Sequence, residues 1–229
     1  MMKPEIDNID SVLYKTVRGE GCSETVISKS RFVCRIVRAD TREAAESFFA
    51  EFKAAHREAS HHVPAFVIGD KGQSLWASDD GEPQGTAGAP ILGLLTGCGI
   101  TYVAAMVVRY YGGIKLGTGG LARAYSSAAR AALQDAGVVS ALSGEALTYR
   151  VSYPAFDKVR PALERAGIPL LNLSYAEDVG FEIHIPTGAK ASVTSLISDS
   201  ANGAAKLVAA EPRYIYVGVD GDGVSAGTQ

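Results

Sequence analysis

The chain has 229 residues, of which 47% are hydrophobic and 21% are charged, and its formal net charge is −3. This length is comfortable for two domains, and the composition is typical of a folded globular protein rather than a disordered one. The net charge argues against a general binder of polyanions, because no global positive field would gather nucleic acid, so any such binding would be local.

Cysteine usage and hydropathy indicate the cell compartment. Cys22, Cys34 and Cys98 are widely spaced and form no C-x-x-C pair, which suits a reducing cytosol and argues against a zinc knuckle or a disulfide framework. The first ten residues contain no apolar signal core, and no apolar run approaches the roughly 20 residues that a membrane helix needs. We therefore expect a cytoplasmic protein without a membrane partner.

The first third of the chain is rich in short β segments. The predicted strands cover 11–18, 23–28, 31–37, 65–69 and 75–77. The first three should form an antiparallel meander, and Asp40 or Thr41 should cap a helix that follows them. This order of elements predicts an α+β domain with its helices on one face of the sheet.

The most informative stretch covers residues 79–123. It opens with Asp79, Asp80 and Glu82, and no acidic residue then occurs between 83 and 134. The predicted elements here are a helix at 86–95, a strand at 102–108, a glycine-rich bend at 114–120 and a helix at 121–136. Strand, glycine loop and helix thus follow one another, with cations on the loop and the first helical turn. Backbone N–H groups and the helix dipole both favour an anion at such a place.

The candidate residues for binding an anion, nucleic acid or a partner lie in and around the glycine loop. They are His61, Arg109, Tyr110, Lys115, Gly117, Thr118, Gly119, Gly120 and Arg123. The alternative is that the glycines serve only tight turns and close packing of helix on sheet. Tyr110 and Tyr111 would suit stacking on a base, although packing at the end of a strand is the favoured interpretation.

The acidic residues before the helix have three interpretations. Asp79, Asp80 and Glu82 would hold Mg²⁺ or act as acid and base groups, or they would form a solvated Asp-Gly turn, which we favour. In the third interpretation they pair with Arg109 or Arg123 and order the loop. No cofactor follows with certainty, and Mg²⁺ is the candidate. His61 and the adjacent His62 should point to opposite faces of a strand, with one facing the site and the other structural.

The last third of the chain repeats a strand and helix pattern. A Gly at 137 signals the end of the preceding helix, and the small polar residues 140–144 are typical of a linker. The order β-α-β-β-α-β that follows is the ferredoxin-like arrangement. We therefore predict an N-terminal domain at 1–140, a ferredoxin-like domain at 141–219 and a flexible tail at 220–229.

Three segments resemble the signature of the YigZ/IMPACT family: DDGEPQGTAG at 79–88, PIL at 90–92 and VRYYGGIKLGTGGLARAY at 108–125. The match is close to residue for residue, and the histidine segment at 60–62 is also similar to the family pattern. The resemblance covers nearly the entire chain. It implies a first domain similar to ribosomal protein S5 domain 2 and a second one similar to the last domain of elongation factor G, domain V. Eukaryotic relatives regulate translation by binding a partner of the kinase that senses amino-acid starvation.

These observations lead to three hypotheses of function. The first is a non-enzymatic, translation-linked regulatory protein that contacts RNA, the ribosome or a ribosome-associated partner through the Arg109, Lys115 and Arg123 surface. The second is a Mg²⁺-dependent enzyme or binder acting on a phosphorylated small molecule or nucleotide, with the three acidic residues holding the metal. The third is a protein–protein adaptor that binds no anion at all.

Overall fold

The computed structural model describes residues 12–219 and 224–225. They form two compact units, one built from 14–139 and the other from residue 140 onward together with Val12 and Leu13. Each unit contains an antiparallel sheet with packed helices, so the α+β class expected from the sequence is confirmed. No helix in the described part of the chain is long and apolar enough to cross a membrane.

The first unit is built around a five-stranded sheet in the order β2-β3-β6-β4-β5. The predicted meander is therefore correct for β2 and β3, which pair antiparallel, and wrong for β1, which lies outside this sheet. Alternation of apolar residues identifies a strand but does not select its partner. The elements up to residue 136 are β1 Val12–Val17, β2 Gly21–Ile27, β3 Ser30–Arg38, α1 Arg42–Ala55, β4 His61–Ile68, β5 Ser74–Ala77, α2 Gly88–Gly97, β6 Val103–Tyr110 and α3 Gly117–Ala136.

Helices cover both faces of this sheet, whereas the sequence predicted one covered face. Val103, Ala105 and Val107 of β6 belong to the core cluster that contains residues of α2 and α3. The alternate residues Ala104 and Met106 belong to a second cluster that contains the phenylalanines of α1. A strand that is buried on both faces carries an almost continuous apolar run, and this is the sequence of β6.

The ends of the helices follow local capping chemistry. The side chain of Thr41 accepts a hydrogen bond from the Ala44 N–H at the start of α1, as expected for a cap. Gly137 ends α3 with φ +68°, a conformation that favours glycine. The start of α3 differs from the prediction, because the helix begins at Gly117 and the glycines therefore form its first turn.

The second unit contains the predicted succession of elements. They are β7 Val138–Val151, α4 Tyr153–Arg165, β8 Leu171–Tyr175, β9 Val179–Pro186, a 3₁₀ turn Thr187–Ala189, α5 Lys190–Ser200, β10 Lys206–Gly218 and β11 Val224–Ser225. The strands are ordered β11-β10-β7-β9-β8. Within the predicted tail at 220–229, Val224–Ser225 form the strand β11, and the other residues from 220 onward lie outside the described part of the chain.

The predicted linker at 140–144 is not a linker. These residues lie inside β7, and Ser140, Ala141 and Leu142 are buried. Packing requires a glycine at position 144, because a Cβ atom there would lie 2.3 Å from Ile215 Cγ1 and 2.5 Å from the Ile185 carbonyl oxygen. Small residues are common both in linkers and where strands approach closely, so their composition alone did not separate the two cases.

Candidate functional site

Arg109 occupies the centre of the candidate site. It lies within β6, whereas the predicted strand ended one residue earlier at 108, and its Cα pairs in register with Phe32 of β3 and His61 of β4. The alternation of β6 places its side chain on the same face as Val107, toward α3. Only 5% of the Arg109 side chain is exposed. Arg109 is therefore a buried cation rather than part of a charged surface.

Two polar groups hold this guanidinium. Its Nη1 donates to Glu82 Oε1 at 2.7 Å, and its Nη2 donates to Ser30 Oγ at 3.2 Å. Glu82 Oε1 also accepts from the buried Tyr125 hydroxyl at 2.8 Å. Burial and this hydrogen bond to a carboxylate raise the pKa of Tyr125 well above its ordinary value. Glu82 therefore follows the third interpretation of the acidic residues, pairing with Arg109, and is not the solvated turn residue that the favoured interpretation expected.

The carboxylate of Asp79 orders the loop that leads into α2. It accepts backbone N–H bonds from Gly85 at 2.7 Å, Ala87 at 3.0 Å and Gly88 at 2.9 Å. Partial burial opposes ionisation, but the three N–H donors outweigh it and hold the pKa of Asp79 below its ordinary value. Asp79 thus orders a turn, as the favoured interpretation expected, but its carboxylate is bound by backbone N–H groups rather than solvated.

Asp80 connects the same loop to β4. Its Oδ2 accepts the backbone N–H of His62 at 2.6 Å, and its backbone is left-handed, with φ +43°. Across the described ranges, no three His, Cys, Asp or Glu side chains gather as ligands of a metal ion. Each of the three predicted acidic residues instead bonds to backbone N–H groups or to Arg109.

The two adjacent histidines point to opposite faces of β4, as predicted. His61 faces the site, where its Nδ1 lies 2.8 Å from the Asp80 carbonyl oxygen and its Nε2 lies 3.9 Å from Glu82 Oε1. His62 is buried on the other face, and its Nε2 lies 2.9 Å from the carbonyl oxygen of His56. One histidine therefore belongs to the site, and the other is structural.

The N-terminus of α3 supplies backbone donors. Its N-cap residue is Leu116, and no side chain caps the helix. The first N–H groups of a helix have no partner within the helix, so those at Gly117 and Thr118 are available to a ligand. The helix dipole adds a positive potential at this end. Lys115 is exposed beside this turn, and no carboxylate pairs with it among the residues that the structure describes.

These elements surround a cleft of about 470 Å³. The residues lining it are His61, Glu82, Pro83, Arg109, Tyr111, Lys115, Leu116, Gly117, Thr118 and Leu121. Six predicted residues are thus brought together: His61, Glu82, Arg109, Lys115, Gly117 and Thr118. The other predicted residues, Asp79, Asp80, Tyr110, Gly119, Gly120 and Arg123, lie outside the lining.

Two of the residues outside the lining occupy distinct places. Tyr110 lies on the opposite face of the sheet, where its hydroxyl is 2.8 Å from His56 Nδ1 and the Arg31 guanidinium lies 4.2 Å from its ring centre. Arg123 is exposed on α3, and its Nη1 would lie 3.5 Å from a Cβ atom built on Gly119. Arg123 therefore reaches the first turn of the helix from outside the cleft.

Tyr111 is the main residue that the sequence interpretation left out of the site. It is 47% exposed, and the Arg109 Cζ lies 5.2 Å from its ring centre. It directly follows the end of β6, two residues after Arg109, and this spacing was a usable signal because residues two apart in a strand share a face. Pro83, Leu116 and Leu121 were also not predicted, and they give the cleft its apolar surface.

Comparison with known proteins finds similar sequences over most of the chain. Residues 28–133 match the family model described as the Impact N-terminal domain. The chain is 34% identical to IMPACT family member YvyE of Bacillus subtilis (strain 168), over 90% of this chain and 95% of that protein. It is 36% identical to IMPACT family member YigZ of Escherichia coli (strain K12), over 81% of this chain and 92% of that protein. A crystal structure described as that of a hypothetical protein is similar at 34% identity with a TM-score of 0.54, covering 86% of this chain and 96% of that one.

Proposed function

The chain belongs to the IMPACT family, and we propose that it is a translation-linked regulatory protein that binds a phosphate group of RNA in the cleft at the N-terminus of α3. The link to translation rests on the resemblance to the family, whose eukaryotic members regulate translation. The choice of ligand rests on the chemistry of the cleft. RNA bound to the ribosome and free RNA present the same phosphate chemistry, and both fall within this proposal.

One observation carries the proposal: two anion-attracting groups, the N-terminus of α3 and Lys115, meet at one cleft beside the buried Arg109. The uncapped first turn of α3 presents N–H groups, and Lys115 supplies an exposed positive charge. Arg109 lies at the same cleft, and its buried Nε has no hydrogen-bond acceptor among the described residues. A buried donor without an acceptor is costly, so an anionic oxygen that reached it would be stabilised.

The charge of Arg109 itself is already neutralised by Glu82. Lys115 and the helix terminus are therefore the groups that would attract the phosphate, and the ion pair would hold the wall of the cleft in place. The sequence suggested a surface on which Arg109, Lys115 and Arg123 all contact RNA, whereas here only Lys115 and the helix terminus would contact the phosphate. This division of roles predicts that one cation, Lys115, accounts for most of the salt dependence of binding at this site.

The finer fold assignment is part of the same proposal. We take the second unit as ferredoxin-like and similar to domain V of elongation factor G. The strand order β10-β7-β9-β8 around the βαββαβ succession supports this assignment. We take the first unit as similar to ribosomal protein S5 domain 2, on the family resemblance, with the domain boundary near residue 140. Such a second domain would supply a further docking surface, and we place the protein in the cytoplasm.

The test is fluorescence anisotropy of labelled single-stranded RNA across a salt series, with the wild type and Lys115→Ala. The wild type should bind saturably, and the slope of log affinity against log salt should fall by about 1 in the variant. Arg130→Ala is the matched control, because Arg130 is also exposed on α3 but does not line the cleft. If the wild type does not bind at low salt, or if the two variants behave alike, the proposal is wrong.

A further inference from the structure

The ring of Tyr111 is an exposed aromatic surface with a fixed support. The Arg109 guanidinium lies over the ring at 5.2 Å, and this guanidinium is held by Glu82 and Ser30. The backbone N–H of Tyr111 donates to Ser60 Oγ at 3.2 Å, which fixes the chain at the same point. A cation over one face of a ring and nearly half of the residue exposed are the features of a stacking platform for a planar group.

His61 offers an acceptor to the same cleft. A carbonyl oxygen only accepts hydrogen bonds, so the 2.8 Å contact between His61 Nδ1 and the Asp80 oxygen requires the proton to be on Nδ1. In the neutral imidazole, Nε2 is then an acceptor, and His61 lines the cleft. The other groups that attract ligands here, Lys115 and the N–H groups of α3, are donors only. The acceptor therefore has no role in binding phosphate and suits a hydroxyl group.

The size of the cleft limits the ligand. Its volume of about 470 Å³ lies within the range of sites that enclose a small molecule or a single unit of a polymer. In an RNA duplex the bases are stacked and paired inside the helix, so a base is free to reach an aromatic ring only where the strand is unpaired. A stacking ring, a hydroxyl acceptor and an anion site in one cleft match the three parts of one nucleotide.

We propose that this cleft binds an unpaired ribonucleotide of an RNA strand. Its base stacks on Tyr111, its 2′-hydroxyl donates to His61 Nε2, and its phosphate is bound at Lys115 and the first turn of α3. This inference rests on the proposed phosphate site and adds the class of RNA that is bound. The 2′-hydroxyl is the group by which a protein distinguishes RNA from DNA at one position, so the site should prefer RNA.

The experiment compares three labelled probes on the full chain: a single-stranded RNA of about 12 nucleotides, DNA of the same sequence, and an RNA duplex. The single-stranded RNA should bind most tightly. Tyr111→Ala should weaken its binding about 5- to 100-fold, whereas Tyr111→Phe, which keeps the ring, should change it by less than about twofold. His61→Ala should bring the affinity for RNA close to that for DNA.

A 2-aminopurine base placed in the RNA should change its fluorescence on binding to the wild type, a readout that needs no variant.

The outcomes separate this inference from the proposed function. If Lys115→Ala weakens binding but duplex and single strand bind equally and Tyr111→Ala has no effect, the cleft is a phosphate site without nucleotide recognition, and the inference is overturned. An unchanged 2-aminopurine signal on binding to the wild type would overturn it in the same way. If no probe binds the wild type, the proposed function fails as well.

Discussion

Arg109 Nη1 and Glu82 Oε1 lie 2.7 Å apart in the core of the first unit, although 27 positions separate the two residues in the chain. The side chains are 5% and 4% exposed, so both charges have been removed from water. This ion pair joins the C-terminal end of β6 to the acidic loop, and Pro83 and Tyr111, which neighbour the two partners in the chain, both line the cleft. The pair is thus the feature that assembles the candidate site.

Replacing Glu82 by glutamine should destabilise the protein strongly. The change leaves the Arg109 charge buried without a counter-charge, and breaking a buried pair in this way typically costs about 3 to 5 kcal/mol. Chemical denaturation at neutral pH measures this loss of unfolding free energy. The matched control is Glu164→Gln, which breaks the Arg160 pair at a position where both side chains are 56% exposed, and which should cost less than about 1 kcal/mol. Equal losses in the two variants would contradict the structural role of the buried pair.

Asp79→Asn should remove a pH-dependent part of the stability. The folded-state pKa lies below the ordinary value of 3.8, so the folded protein binds fewer protons on Asp79 than the unfolded chain does. The stabilisation is therefore fully present above about pH 4 and is lost as pH falls through the folded pKa. The asparagine side chain keeps one acceptor oxygen, but its NH₂ group cannot accept a hydrogen bond. It therefore loses the bond either to the Gly85 N–H or to the N–H groups at the start of α2. We expect a cost of about 1 to 2 kcal/mol near pH 7 that narrows as the pH falls below the ordinary pKa of 3.8 and through the lower folded-state pKa.

The measurement is urea denaturation of both proteins at several pH values between 2.5 and 7. Asp157→Asn makes the same chemical change at an exposed position of α4 and should leave stability nearly unchanged at every pH. A difference between wild type and Asp79→Asn that stays constant down to the lowest pH would show that the charge of Asp79 is not what stabilises the loop.

Gly144→Ala should destabilise the second unit. A Cβ atom there would lie 2.3 Å from Ile215 Cγ1 and 2.5 Å from the Ile185 carbonyl oxygen, so strands in the sheet must move apart. Overpacking of this kind typically costs about 1 to 3 kcal/mol. In Gly188→Ala the added Cβ atom would contact nothing within 4 Å, and this variant is the control. Thermal unfolding should separate the two, and a Gly144→Ala protein as stable as the control would mean that residues 140–144 are not held in β7.

The three cysteines should react with thiol reagents in two classes. Cys22 and Cys98 are exposed, whereas Cys34 is fully buried in β3, and burial raises the pKa of its thiol far above the ordinary value. The thiolate is the reactive species, so Cys34 is protected both by access and by protonation. Titration of the native protein should count two thiols, with a third appearing on denaturation. Cys34→Ala should show two reactive thiols in both the native and the denatured protein. Fast reaction of a third thiol in the native wild type would refute the burial of Cys34 in β3.

Much of the local structure followed from the sequence. The apolar run of β6, a cap of α1 at Asp40 or Thr41 and the glycine that ends α3 were all predicted, because each depends on a few adjacent residues. The opposite orientations of His61 and His62 followed from the two-residue period of a strand. The family was also evident from its long motif, which comparison with relatives confirmed.

The features that differ from the predictions depend on distant contacts. The composition of 140–144 suggested a linker, but strand packing around Gly144 decided the matter. Packing was the favoured interpretation of Tyr111, yet the end of β6 leaves it exposed beside Arg109. Helices were expected on one face of the first sheet and occur on both.

The sequence by itself therefore determined most of the elements, the family and the segment that carries most of the candidate site. Periodicity, capping and turn chemistry act between near neighbours and can be followed along the chain. Only the tertiary structure decided that Arg109 is neutralised by Glu82 while Lys115 stays exposed at the start of α3. Whether a charge is free or paired depends on which groups the fold brings within a few ångströms of it, and its net effect on a ligand depends on how much water remains around it.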